Sequence, residues 1–286
     1  MPAATTHVEF ARDVYAQLPE EQKKKITNKQ LFYLGSQGPD VLFFSKFSYL
    51  PGSLHKYGNL MHVQKVREVL GFIRDYVEDV PELASYYYGF LCHYALDSTV
   101  HPLINAMAVR TAEMFGVSVN EAHVHSEADL DVLVMEEHGM SVKDYHVFDD
   151  VKVYKDTGMI LAVMYRKMFA DIFHIDLTLA DLQESIHGVS KLTRLLKPNN
   201  LKYKFLYRLE SLAGISHATS GMMLDHKQAH GLMVMNEDHD EYVYEDIRDN
   251  RSFMELYTEA IGYAQKLIEN LDLQSIHRDF NGTPIV

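Results

Sequence analysis

The 286-residue sequence predicts an all-α fold, a multi-helix bundle, on three observations. Most segments repeat apolar residues at helical spacing. Strand signals are few, the best of them at residues 241–244. Residues 83–107 are apolar or aromatic nearly all the way round, the pattern of a helix buried at the centre of a fold. The hydrophobic share of 47% supports a substantial core, and no repeat, low-complexity tract or composition shift forces a boundary. Residues 1–286 therefore read as one helical domain, with the helices of 150–275 completing its core.

Taken in order, residues 8–18 have helical periodicity, with Thr6 or His7 at the start. Residues 30–47 are mixed. Within them Gly35-Ser36-Gln37-Gly38-Pro39-Asp40 reads as a helix end followed by a turn, because Gly and Pro punctuate it. Pro51-Gly52-Ser53 marks another break. Residues 62–80 alternate apolar and charged side chains with a helical period, and Pro81 opens the central helix. Residues 120–137 form the next helix, with Asn120 as N-cap. Beyond Gly139, residues 151–173, 179–196 and 252–270 are helical by periodicity. Pro198-Asn199-Asn200 is a loop, and the acidic run at 236–241 is a solvated connection. His217, Asp225, His226 and His230 read as surface loop and cap chemistry.

A net charge of −13 opposes electrostatic attachment to nucleic acid or to anionic lipid, and no Lys/Arg cluster offsets it. The longest apolar runs fall far short of a membrane span. Neither a leader, a lipid-anchor motif nor a basic amphipathic helix is expected. Cys92 is the only cysteine, so no intramolecular disulfide can form, and a reducing, cytoplasmic setting is expected. Sixteen histidines are the unusual count, and imidazole is the commonest metal ligand.

The chemistry concentrates in residues 89–102. On a helix His93, Asp97 and His101 stand four residues apart, each step drifting only about forty degrees, so the three share one face. A buried carboxylate between two imidazoles must be paired or must hold a cation. Pro102 disfavours helix at His101 and predicts a bend in the ladder there. His123, Glu127 and Asp131 repeat the spacing on a second helix. Facing helices of a bundle can build a metal cage from such inward side chains. Imidazole and carboxylate without thiolate suit zinc, manganese or iron more than calcium. Most of this site comes from residues 1–140. A lone buried histidine is ordinarily a hydrogen-bonded core residue, and His123 with Glu127 could be an exposed helix pair. The apolar surroundings favour metal for the first ladder, and context favours it for His123 with Glu127. Tyr86-Tyr87-Tyr88 reads as core packing.

Five motifs in order then carry a resemblance: Thr6-His7-Val8-Glu9-Phe10, Gly38-Pro39-Asp40, a histidine of the next helix, His93-Tyr94-Ala95-Leu96-Asp97, and His123-x3-Glu127-x3-Asp131. They resemble the zinc-dependent phospholipase C family, all-helical trinuclear-zinc phosphodiesterases that share a fold with zinc nucleases cutting single strands. The resemblance covers the first half of the chain and implies how ligands divide. One zinc would take Asp40, His62, His93 and Asp97, and a second would take His101, His123 and Glu127. A third would take His7 and share Asp97, helped by the chain's own N-terminus. Asp131 would orient a ligating histidine from behind, and Asp40 would position or deprotonate the attacking water. His55 competes with His62 for one place. His62 is preferred because it opens a helix after Gly58-Asn59, whereas His55 lies in a Gly-rich loop.

The expected activity is metal-dependent phosphodiester hydrolysis with two or three Zn2+ ions. Its partner is a phospholipid head group or a soluble phosphodiester. Nucleic acid is not expected, given the charge and the lack of a basic, aromatic-lined groove, and no stable membrane anchor is expected. The alternative is a non-catalytic helical protein whose metal cluster only holds the fold.

Overall fold

The computed structural model describes residues 3–46, 50–214, 217–224 and 231–285. Its α-helices of seven residues or more are α1 (Ala4–Gln17), α2 (Lys29–Gly35), α3 (His55–Val63), α4 (Val66–Asp79), α5 (Ala84–Phe115), α6 (Val119–Glu137), α7 (Lys155–Met168), α8 (Leu179–Leu195), α9 (Asn200–Ala213) and α10 (Phe253–Glu269). A single antiparallel hairpin, β1 (Tyr242–Tyr244) with β2 (Ile247–Asp249), makes the only sheet among the described residues. The fold is all-α.

α5 is the axis, buried on every side along most of its length and packed against α1, α2, α6 and α10. Its side chains are apolar all round because neighbours surround it. The helix continues without a break through Pro102 to a left-handed cap at Gly116. Pro102 has no N–H for the Ser98 carbonyl. Gly282 packs against both groups: a Cβ there would fall 2.5 Å from the proline ring and 2.9 Å from the Ser98 oxygen. The hydroxyls of Ser98 and Thr99 donate back to the carbonyls of Tyr94 and Ala95, at 2.6 and 2.8 Å.

Elsewhere the boundaries moved, for local reasons. α1 begins at Ala4, ahead of both Thr6 and His7. The stretch 62–80 is two helices separated at Lys65, whose φ of 55° lies in the left-handed region. His62 therefore sits in the last turn of α3 instead of opening a helix, and His55 begins α3. α6 is capped by Ser118, whose hydroxyl accepts from the Glu121 N–H at 3.2 Å; Asn120 lies inside the first turn. Residues 151–173 shorten to α7 plus a wide π-type turn, Phe169–Phe173. α9 was not expected; Asn199 caps it by accepting from Leu201 and Lys202 N–H groups, both at 3.0 Å. Asp225, His226 and His230 lie outside the described residues.

The main core draws on both halves of the chain, from Val8, Phe32 and Phe90 to Leu161, Ile186, Phe253 and Phe280. Among the described residues no helix is long and apolar enough to cross a membrane.

Candidate metal centre

The site starts from a close approach of two backbones. A Cβ on Gly89 would fall 2.0 Å from the Phe32 carbonyl, and one on Gly35 would fall 2.1 Å from the Tyr86 carbonyl. Only hydrogen fits at either position, so α2 and α5 touch and the Ser36 carbonyl comes within 3.0 Å of His93 Nδ1. The chain then turns at Gly38, where φ is 50° and a Cβ would overlap the His93 ring at 2.1 Å. The left-handed backbone and the missing space both demand glycine. Gly38 opens a 3-10 turn, Gly38–Phe44, that presents Asp40. Tyr165 fixes the turn by donating to the Gly38 carbonyl at 3.2 Å.

Asp40 Oδ1 lies 3.2 Å from His62 Nε2. His62 Nδ1 is 2.8 Å from the Gly58 carbonyl one turn earlier. A carbonyl can only accept, so Nδ1 of His62 and of His93 must carry the proton. Each ring thus turns its Nε2 inward, toward Asp40 for His62 and toward Asp97 for His93, the usual arrangement behind a ligating histidine.

Asp97 is the hub. Its Oδ1 is 3.4 Å from His7 Nε2, while Oδ2 is 3.0 Å from His93, 3.8 Å from His62 and 3.7 Å from His101. Glu127 Oε1 lies 3.2 Å from His123 and 3.9 Å from His101. Three groups result, each with its potential ligand atoms within 4.8 Å of one another: His7, Asp40 and His93; His62, His93 and Asp97, which share His93; and His101, His123 and Glu127. The eight side chains expected as ligands are thus brought together, and Asp40 joins His7 as well as His62. His55 is turned away, edge-on to Phe43. All eight are buried except His123, whose side chain is 23% exposed and marks the open edge.

Asp131 stands apart from the rings. Its carboxylate accepts from the Thr6 N–H at 2.7 Å, the Thr6 hydroxyl at 2.8 Å and the Thr5 N–H at 3.3 Å. It anchors the start of α1 and so aims His7 through its helix, not through its ring. Burial pushes this carboxyl up to about 7.

The donor set fits a cation. His93 Nε2 is fully buried without a hydrogen-bond partner, and so are Nδ1 of His7 and of His101. A buried polar atom left unpaired is costly. Among the described residues no Lys or Arg forms an ion pair with Asp40 or Asp97. Burial lowers His7 and His93 to about 4, so both rings are neutral and have lone pairs to give at neutral pH. Burial also lowers His101. For His62 burial pushes downward but the bond and charge of Asp40 outweigh it, and the net shift is upward. Asp40 answers in kind: burial raises its carboxyl, and the His62 bond together with nearby positive charge more than reverses this. Burial raises Asp97, against the pull of His101 and His7.

Sequence reasoning passed over the parts that hold this cage. Gly35 and Gly89 were readable, because a glycine one turn before His93 invites a close helix contact. Phe280 was not, since nothing in the sequence ties it to histidines far upstream. Its ring centroid lies 5.5 Å from that of His62 and 5.6 Å from that of His93, and its N–H donates to the His62 carbonyl at 3.0 Å. A family model described as zinc-dependent phospholipase C matches residues 6–174. Neither a curated protein nor a solved structure gives a significant match.

Proposed function

Because the chain belongs to the zinc-dependent phospholipase C family, we propose that it hydrolyses phosphodiesters at the cage around Asp97, using two or three zinc ions. One observation carries the reading: two buried groups of imidazoles and carboxylates share His93, and Asp97 reaches from them to His101 of a third, at 3.7 Å. His62, His93, Asp40 and Asp97 would hold one ion, and His101, His123 and Glu127 another. His7 with Asp40 and Asp97 would contribute to a third. The N-terminus assigned to that third ion lies outside the described residues.

When bound, zinc at these groups would neutralise a phosphodiester's charge and make a water acidic enough to attack near neutral pH. The chain's own residues do the rest. Asp40, kept ionised by His62, is the base that orients this water and takes its proton. The Ser36 and Gly58 carbonyls accept from Nδ1 of His93 and His62 and so aim each Nε2 into the cage. Phe280 closes the wall beside His62 and His93, and the edge at His123 is the way in. The substrate in this proposal is a phospholipid head group, with a soluble phosphodiester as competitor and nucleic acid disfavoured by charge. A cytoplasmic setting belongs to the same proposal, resting on a lone, buried Cys92.

Metal quantification together with turnover of a chromogenic phosphodiester tests the proposal. The expected result is two or three transition-metal ions per chain and activity that a chelator abolishes. Asp97→Asn should lower activity at least about a hundredfold, since ligand environments alone shift activity by that order. Bound metal with no turnover on any phosphodiester would favour a cluster that only holds the fold. Stable, metal-free protein would sink both readings.

A further inference from the structure

α9 turns an apolar stripe to solvent. Leu201, Phe205, Leu209 and Leu212 follow at steps of four, four and three, hence on one face. They are 81%, 62%, 47% and 86% exposed. The opposite face carries Glu210, the one buried residue of the helix. Its carboxylate accepts from the backbone N–H groups of Thr219 at 2.9 Å and Ser220 at 3.1 Å. On the flank the Tyr207 ring stacks on His217 at 4.0 Å, and His217 Nδ1 lies 3.5 Å from Glu121. Glu121 belongs to α6, the helix that also carries His123 and Glu127, so this mooring ties α9 to a helix that builds the cage. Amphipathic helices ordinarily bury their stripe, and a contiguous exposed one marks an interaction surface.

Charge selects the occupant. Between residues 197 and 214 stand Lys197, Lys202, Lys204 and Arg208, against Glu210 alone. Four cations thus face one carboxylate that is already buried and satisfied, in a chain whose net charge is −13. Helical spacing puts Arg208 and Lys202 on the two flanks of the stripe. A second copy docking on this face would set these cations against themselves, which is unfavourable. Acyl chains take leucine and phenylalanine while anionic head groups take lysine and arginine. We propose that α9 is an interfacial helix that docks the chain on an anionic phospholipid surface. This deepens the phosphodiesterase reading and rests on it for its purpose, since such a surface displays phosphodiester head groups. The expectation of no basic amphipathic helix fails here. Net charge averages over the whole surface, whereas attraction to lipid is felt only within a Debye length.

Sedimentation with vesicles of phosphatidylcholine, with or without phosphatidylserine, reads docking without any need for turnover. The full chain should bind the mixed vesicles, and added salt should weaken that binding. Changing Leu201→Gln and Leu212→Gln together should lower affinity at least about tenfold. Changing Lys204→Gln and Arg208→Gln should cost about fivefold per charge, on the mixed vesicles only. Both pairs should keep the parent's hydrolysis of a soluble phosphodiester. The proposal is overturned if the parent ignores mixed vesicles or if the leucine pair binds them as the parent does. It is equally overturned by a dimer, unable to bind vesicles, that the leucine pair converts to monomer. A parent that binds vesicles but never cleaves the soluble phosphodiester supports docking and overturns the phosphodiesterase reading.

Discussion

The two oxygens of Asp97 are shared among four imidazoles, and helical spacing alone foretold two of them, His93 and His101. His7 and His62 come from other elements and could be assigned only through the family resemblance. Asp131 fitted its ladder by spacing, yet its bonds run to Thr5 and Thr6, because a helix start from elsewhere in the chain reached it first. At this scale pH is the sharpest probe. Native His7 and His93 stay neutral down to about 4, whereas in the unfolded chain they take up protons near 6.5. Between those values the unfolded state binds more protons, so stability is lost as pH falls, with no loss above 6.5 and no further loss below about 4. Each ring contributes about 3 kcal/mol to that loss. Denaturant titrations of metal-stripped protein at pH 6.5 and about pH 4.5 should therefore cost the parent more stability than His93→Gln. Equal losses would refute the assignment.

Among the elements, the helices whose apolar stripe faces the core were readable, and α9 was not. Its outward leucines and its inner Tyr203 and Leu206 put apolar side chains on both sides, which blurs the period. The π-type turn after α7 and the break at Lys65 have no residue signature, since neither contains Gly or Pro. The α2–α5 contact makes a prediction that pairs two glycines. Gly89→Ala would force the helices apart and pull the Ser36 carbonyl off His93. It should cost about 1–3 kcal/mol or more by overpacking and weaken zinc binding about 10- to 100-fold. Gly262→Ala, in α10, meets nothing within 4 Å. It should stabilise by about 0.5–1 kcal/mol. Urea midpoints of the two variants would decide, and similar costs for both would remove the special role given to the contact.

Over the whole molecule, the candidate ligands come from α1, the turn after α2, α3, α5 and α6. One filled cage therefore ties five pieces of chain, and whatever binds only the native state stabilises it. Chelation should lower the thermal midpoint by on the order of 5–10 °C, taking about 3 kcal/mol of linkage for a chain of this size. An unchanged midpoint would mean that the cage is preformed or unused. The all-α class and the two four-residue ladders were legible because both follow from local spacing, whereas His7 and His62 were named only through the family resemblance. The wall was not legible, because contacts across the whole chain leave no local pattern.

That wall has a consequence in time. Phe280 is made 153 residues after Glu127, the last candidate ligand. At roughly 5–20 residues per second, synthesis leaves a gap of about 8–30 s in which all the ligands exist and Phe280 does not. During that interval the nascent chain is a histidine-rich chelator with an unfinished pocket, open to whichever divalent ion is most abundant. On the proposed function, the arrival of Phe280 would set when that pocket closes.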